Sequence, residues 1–310
     1  MKVCQVGYGH LGKWHAEKAN KVYGSSFHSI IEVDKSKHEE ISNKYPNLIV
    51  SDKIEDVLQS VKAVIIVTPT IFHFEIIKKA LRNGLHVFCE KPLTNNYLEA
   101  SEIEMILADK PGVKLQVGHS ERFHEVWGKE KINISESSIF NINRVSPFKS
   151  RATDVGIIQD LMIHDFDLLN FLIEEKPISI YASGKKVVSE NYDYVMAHLK
   201  YASGKIATVV ASRVSVEERR DFSFTSSIGE TKIDLIDNSV KTSSMDANSF
   251  EIVEYKYEKR DHLLLEHEAF HKLVQEGGSP VININDALDV MKMIDMTELS
   301  ISEKKEVFWN

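Results

Sequence analysis

The chain has 310 residues and a formal net charge of −8, with 43% hydrophobic and 27% charged residues. That length admits two domains, and the acidic balance argues against nonspecific nucleic-acid binding and against docking on an anionic membrane. No apolar run approaches the ~18 residues of a membrane span. The two cysteines, Cys4 and Cys89, read as buried reduced thiols, so the expected location is the cytoplasm.

The chain opens on an apolar strand, Val3-Cys4-Gln5-Val6, that runs into Gly7-Tyr8-Gly9-His10-Leu11-Gly12 and then into an expected helix over 13–20. In that context each glycine has a task. Gly7 makes the tight turn, Gly9 lets a pyrophosphate approach the backbone, and Gly12 packs helix on strand. The helix N-terminus offers N–H groups and a partial positive charge to the phosphates, and His10 and Leu11 are counted with the loop as cofactor-binding positions. The pattern asks for an acidic residue about 20 positions further on, to accept from a ribose hydroxyl. Glu32 stands at the end of the next strand, 27–31. A carboxylate there favours NAD over NADP, since it repels a 2′-phosphate, although Lys35 and Lys37 keep NADP possible.

Helices are expected over 35–44 and 54–59, with a short strand at 48–50 between them. The continuous apolar run 63–67 reads as a central parallel strand ending at Thr68-Pro69-Thr70, on the carboxyl edge where doubly wound sheets bind ligands. An amphipathic helix over 74–83 stops at Gly84, and strand 85–89 runs straight into Glu90-Lys91-Pro92. A helix over 96–109 and a strand over 114–118 complete the alternation, which implies a parallel sheet with right-handed crossovers. Past residue 120 the texture changes to a helix over 156–174, alternating strands between 178 and 257, and helices over 262–275 and 284–298. The expected fold is therefore α/β. A Rossmann-type doubly wound parallel sheet fills 1–120, and an α+β domain on a large, mostly antiparallel open sheet fills 121–310, its last helices free to pack back on the first domain.

Four places carry possible chemistry. Lys91, at the end of a parallel strand, sits where a lysine can stabilise a forming alkoxide. Asp160 and His164 lie four apart, on one helix face, and a carboxylate beside an imidazole suits general-base work near neutral pH. His267-Glu268-Ala269-Phe270-His271 matches a zinc-protease pattern, but Leu264, Leu265, Phe270, Leu273 and Val274 make that helix a packing element, and no metal is expected. Arg144, Lys149 and Arg151 flank Ser146-Pro147-Phe148 in an expected basic loop that offers a place for phosphate.

Together these motifs resemble the sugar oxidoreductases named for glucose–fructose oxidoreductase and inositol dehydrogenase (the Gfo/Idh/MocA family). The resemblance rests on Val6-Gly-Tyr-Gly-His-Leu-Gly-Lys-Trp-His15, Val67-Thr-Pro-Thr-x-x-His73, Gly84-Leu-His-Val-Phe-Cys-Glu-Lys-Pro-Leu93 and Asp160-x-x-x-His164-Asp165. It implies that Lys91 and His164 act on substrate with Asp160 beside them. It also implies that Glu32, Thr68, Pro69, His73 and Glu90 line the cofactor, and that the antiparallel sheet packs against another subunit in a homodimer or homotetramer. A narrower likeness, in Val117-Gly-His-Ser-Glu-Arg-Phe123, Arg144-Val-Ser-Pro-Phe148 and the run from Arg151 to Asp160, is to the branch containing UDP-N-acetylglucosamine 3-dehydrogenases. It implies a sugar-nucleotide substrate and adds His119, Arg122, Arg144 and Arg151 as substrate positions. The expected activity is NAD-dependent oxidation of a sugar hydroxyl, with a free sugar or inositol dehydrogenase, or a non-catalytic nicotinamide-binding regulator, as the alternatives.

Overall fold

In the computed structural model the described residues are 1–127, 134, 138–148, 156–227, 229–245 and 250–309. They form two compact units, Met1–Ser120 with Asp261–Leu288, and Glu121–Arg260 with Asp289–Asn310.

The first unit holds a six-stranded parallel sheet of β1 (Val3–Val6), β2 (Phe27–Ile31), β3 (Ile49–Ser51), β4 (Ala63–Ile66), β5 (His86–Glu90) and β6 (Leu115–Gly118), in the order β3-β2-β1-β4-β5-β6. Every residue of β1 and β4 is buried, which is why β4 is an unbroken apolar run and β1 is apolar but for Gln5, with no alternation in either. The strand order reverses between β1 and β4, so their carboxyl ends open the crevice where such sheets take ligands. The helices are α1 (His10–Tyr23), α2 (His38–Lys44), α3 (His73–Arg82) and α4 (Tyr97–Ala108). Asn96 starts α4 by accepting from the Glu99 N–H at 3.0 Å, and Glu99 returns a bond to the Asn95 N–H at 3.1 Å, a reciprocal cap. The helix expected over 54–59 is a single 3₁₀ turn, Ile54–Asp56; the segment is too short to offset the cost of helix nucleation.

The second unit is built on nine strands. They are β7 (Ile139–Val145), β8 (Pro177–Lys185), β9 (Tyr194–Tyr201), β10 (Ile206–Ser212), β11 (Arg219–Ser226), β12 (Gly229–Asp234), β13 (Ser239–Met245), β14 (Phe250–Lys256) and β15 (Val307–Phe308). Their order is β14-β13-β12-β11-β7-β10-β9-β8-β15; β7 and β10 run parallel and the other pairs antiparallel. Alternation is plain in β9, where Val195, Ala197, Leu199 and Tyr201 are buried while Tyr194 and Met196 are exposed, so one face builds the core. A π-helical turn, Ile158–Met162, leads into α5 (Ile163–Ile173). Two helices complete the chain, α6 (His262–Glu276) with the first unit and α7 (Ile284–Glu303), whose residues are shared between the two. In the first unit Phe270 and Leu273 of α6 join Ala16, Ala19 and Tyr23 of α1 in one apolar cluster. Among the described residues no helix is long and apolar enough to cross a membrane.

The connection from β8 to β9 is tied by one carboxylate. Asp193 Oδ2 accepts the backbone N–H groups of Val187, Val188 and Ser189 at 2.7, 2.8 and 3.0 Å, and Oδ1 accepts from the Ser189 hydroxyl at 2.7 Å. Burial opposes the charge, yet these donors outweigh it and hold the carboxyl far below the ordinary aspartate value. A carboxyl depressed on folding stabilises the native state fully above its unfolded pKa, and that contribution is lost as pH falls toward the folded value. Stability should therefore decline below about pH 4. Asp193→Asn should flatten this acid limb and lower the urea midpoint at neutral pH, both read by circular dichroism.

Candidate active site

The turn after β1 is held from three sides. The Gly7 N–H donates to the Ile31 carbonyl at 2.8 Å, and Gln5 Nε2 donates to the carbonyls of Gly7 and Gly12 at 2.8 and 2.7 Å. Gly7 has φ +99°, and a Cβ there would lie 2.4 Å from the Val67 carbonyl oxygen, so no other residue fits. A Cβ at Gly12 would meet the Gly7 carbonyl at 2.6 Å, whereas one at Gly9 would meet nothing within 4 Å. Gly9 thus faces open space at the start of α1, a helix that no side chain caps, and its first N–H groups are available to an anion. His10 and Leu11 form the exposed opening of that helix.

A cleft of about 510 Å³ adjoins this loop, lined among others by Gly7, Gly9, Glu32, Thr68, Pro69 and Phe72. Glu32 is 6% exposed and accepts the N–H groups of Tyr8 at 2.8 Å and Asp34 at 3.0 Å. The remaining lone pairs of an ionised carboxylate suit ribose hydroxyl donors. The glycine cradle, open helix end, apolar walls and carboxylate fit a dinucleotide with a free 2′-hydroxyl. The two lysines that left NADP possible are occupied: Lys35 pairs with Asp52 at 2.9 Å, and Lys37 lies 3.6 Å from both Glu32 and Asp34.

On the same carboxyl edge, His73 is 1% exposed, with Nδ1 2.9 Å from the Pro92 carbonyl and Nε2 2.9 Å from the Thr68 carbonyl. Burial lowers its pKa against the pull of those carbonyls. His73 is thus a brace between the segments that follow β4 and β5. Glu90 ends β5 and is buried; desolvation opposes its charge, but His15 and the adjoining Lys91 bring its carboxyl below the ordinary value. Lys91 is half-buried just after it, before a cis bond to Pro92. His119, 1% exposed, follows β6.

In the second unit, Asp160 lies in the π-helical turn and His164 in the first turn of α5, both half-buried. Single π-turns recur at functional sites. The residues next to His164 anchor the helix. Asp165 meets Arg144 Nε at 2.8 Å, and Asp167 takes a two-pronged bond from Arg122 at 2.8 and 2.7 Å. Arg144 also donates to Glu121 at 2.8 Å. Here the sequence reading needs correction. Arg144 lies not in a basic loop but inside β7, paired with Ala211 and Arg220, and shares its inward face with Phe140 and Ile142. It is 4% exposed. One guanidinium cannot fully support two buried carboxylates. Burial lifts Asp165 to about 6 against the pull of Arg144, while Glu121, which Arg220 also approaches, stays below its usual value despite burial. The charges of Arg122 and Arg144 are therefore spent inside the unit. Arg151, with Lys149, lies outside the described residues.

The sequence reading passes over Gln5, which holds both ends of the glycine loop, and the carboxylate Glu121, and it reads Asp165 and Asp167 only as a local acidic patch after His164. Only the placement of Gln5 inside an otherwise apolar strand hinted at a buried role.

Residues 1–119 match the family described as an oxidoreductase family with an NAD-binding Rossmann fold, and residues 135–230 match the GFO/IDH/MocA C-terminal domain. The chain is 30% identical to a UDP-N-acetylglucosamine 3-dehydrogenase of Acidithiobacillus ferrooxidans, over 71% of this chain and 69% of that one. It is 25% identical to an inositol 2-dehydrogenase of Rhizobium meliloti over 97% of each. A solved structure of the Acidithiobacillus enzyme superposes with a TM-score of 0.91 at 25% identity, over 98% of each chain.

Two outcomes follow from the site. Arg144→Leu strands the buried Asp165, leaves Glu121 to the more distant Arg220, and should destabilise the protein by about 3–5 kcal/mol, measured by urea unfolding. Glu32→Ala should weaken NAD about 10- to 100-fold, the loss of a charge-assisted acceptor, and narrow the preference over NADP, measured by titration of each nucleotide.

Proposed function

Because the chain belongs to the Gfo/Idh/MocA family of NAD-binding oxidoreductases, we propose that it oxidises a sugar hydroxyl to a ketone, with a UDP-N-acetylhexosamine oxidised at C3 as the favoured substrate. The observation that carries this reading is the likeness over the whole fold to an enzyme named for that reaction, at 30% identity in the aligned part. Bound NAD would supply the hydride acceptor. The chain's own residues do the rest. The glycine loop and Glu32 hold the nucleotide, and the Lys91 ammonium donates to the substrate oxygen and stabilises its developing negative charge. His164 takes the hydroxyl proton, and Asp160, four residues before it, supports the imidazolium. When the hydroxyl proton leaves to His164 and hydride leaves from carbon, the alcohol becomes a ketone.

A free sugar or cyclitol is the second reading. It draws support from the inositol 2-dehydrogenase relative and from Arg122 and Arg144, whose charges are paired internally and do not serve a diphosphate. A non-catalytic nicotinamide sensor has less support, since it needs neither Lys91 nor His164. The exposed Tyr181, Tyr194 and Met196 on the large sheet favour a homodimer or homotetramer formed through that face.

Formation of NADH, followed by absorbance with UDP-N-acetylglucosamine beside free sugars and inositols, tests the reading. Turnover confined to the sugar nucleotide supports it. Turnover confined to a free polyol replaces it with the second. His164→Asn should reduce kcat by at least about 100-fold while leaving NAD affinity nearly unchanged; loss of both would mean that the base is misassigned.

A further inference from the structure

A chain of buried polar side chains runs through the first unit to the backbone of Lys91. His267 Nε2 on α6 lies 3.1 Å from His15 Nδ1 on α1. His15 Nε2 lies 3.0 Å from Glu90 Oε1 at the end of β5, and Glu90 Oε2 accepts the Lys91 N–H at 3.2 Å. His15, His267 and Glu90 are 0%, 1% and 7% exposed. The surroundings are shaped to these groups. The Phe88 ring stacks on His267 at 5.8 Å between centroids, and the Tyr23 hydroxyl donates to the His267 carbonyl at 3.2 Å. At Gly118 a Cβ would lie 2.6 Å from Glu90 Oε1, so the glycine ending β6 leaves the carboxylate its seat.

An ionised Glu90 only accepts, and the nitrogen that faces it, 3.0 Å away, is His15 Nε2. Burial holds His267 well below the ordinary histidine value, helped by His15 and Lys18 nearby, and a neutral His267 serves as partner to His15 Nδ1. Packing alone does not account for this arrangement. Two aliphatic side chains would fill the same space without the cost of burying two imidazoles beside a carboxylate.

We infer that His15 and His267 are positioning residues for the proposed reaction, acting through Glu90 to keep that residue a carboxylate and to fix the backbone of Lys91 at the carboxyl edge of β5. The inference rests on the assignment of Lys91 to the substrate oxygen; neither imidazole touches substrate. The groups facing Glu90 are His15 from α1, His73 from α3, and Cys89 and Lys91 on its own segment. With His15 removed, burial drives the carboxyl toward its protonated form.

The test compares His15→Leu, Glu90→Gln and the double variant. In infrared difference spectra at neutral pH, His15→Leu should show the carbonyl stretch of a protonated carboxylic acid, absent from the wild type and from the double variant. In steady-state kinetics His15→Leu should lower kcat about 10- to 100-fold, as expected of a slightly misplaced catalytic group, with little change in KM for NAD and a new acid limb in the pH profile. The double variant should cost no more than Glu90→Gln alone, and His15→Asn, whose amide can donate to Glu90, should recover part of the loss. Should His15→Leu fail to fold, Gly118→Ala keeps both imidazoles, crowds the same carboxylate, and should give the same kinetic signature. An unchanged pH profile with no carboxylic-acid band, or losses from His15 and Glu90 that simply add, would overturn the inference. The infrared reading needs no substrate, so absence of turnover in the wild type would strike the proposed reaction and leave the Glu90 result standing.

Discussion

The closest constraint in the first unit is the approach of the Gly7 backbone to the Val67 carbonyl, where a single methyl group would sit at 2.4 Å. That approach lets the chain turn directly off β1 beside the end of β4, at the point where the strand order reverses. The rest follows from it. α1 starts with open N–H groups, Gly12 presses onto the turn, and Gln5 ties both glycines together. The cleft then lies between this loop and the segment after β4, with Glu32 at the end of β2 forming part of its wall. The cleft suits a nucleotide chiefly through this backbone geometry, to which Glu32 adds a carboxylate.

The second theme is the disposal of charge. The protein is acidic overall, yet two of its inward-facing arginines are met closely by carboxylates. Arg122 meets Asp167, and Arg144 meets Asp165 and Glu121. These pairs flank His164 along the chain and fix the start of α5. A buried pair of this kind adds modestly to stability, but removing one member is severe, because the other is left as an uncompensated charge. The same principle operates in the first unit with a different composition, where a neutral imidazole, a second imidazole and a carboxylate replace the arginine pair. In each unit the candidate catalytic side chain is half-buried and follows or precedes in sequence a largely buried polar network.

Local periodicity made most of the architecture legible. The unbroken apolar run of β4, the alternation of β9, and the glycines between β1 and α1 are short-range signals, and each is strong because one physical demand dominates: burial on both faces, burial on one face, or a positive φ. Where two demands compete the reading fails. In β7 the polar residues Asn141, Asn143 and Arg144 resemble a loop until partners on both sides satisfy the backbone and a carboxylate pair neutralises the arginine. Residues 54–59 resemble a helix because their composition permits one, but so short a segment closes only a single turn.

The sequence by itself placed His164 inside one long helix over 156–174, where the structure has a π-helical turn leading into α5. It determined the alternating α/β half, the nucleotide loop, the carboxylate at Glu32, and the position of Lys91 at the end of its strand. These depend on neighbours a few residues away, and their energetics are written in local pattern. Only the tertiary structure decided which charges are free to meet a ligand and which are spent. His15 and His267 lie 252 positions apart and meet at 3.1 Å. Arg144 and Asp165, 21 apart, meet at 2.8 Å. Such pairings carry no periodic signal, because they form only when separately folded elements pack and exclude water, and it is that exclusion which makes an unpaired charge too costly to leave.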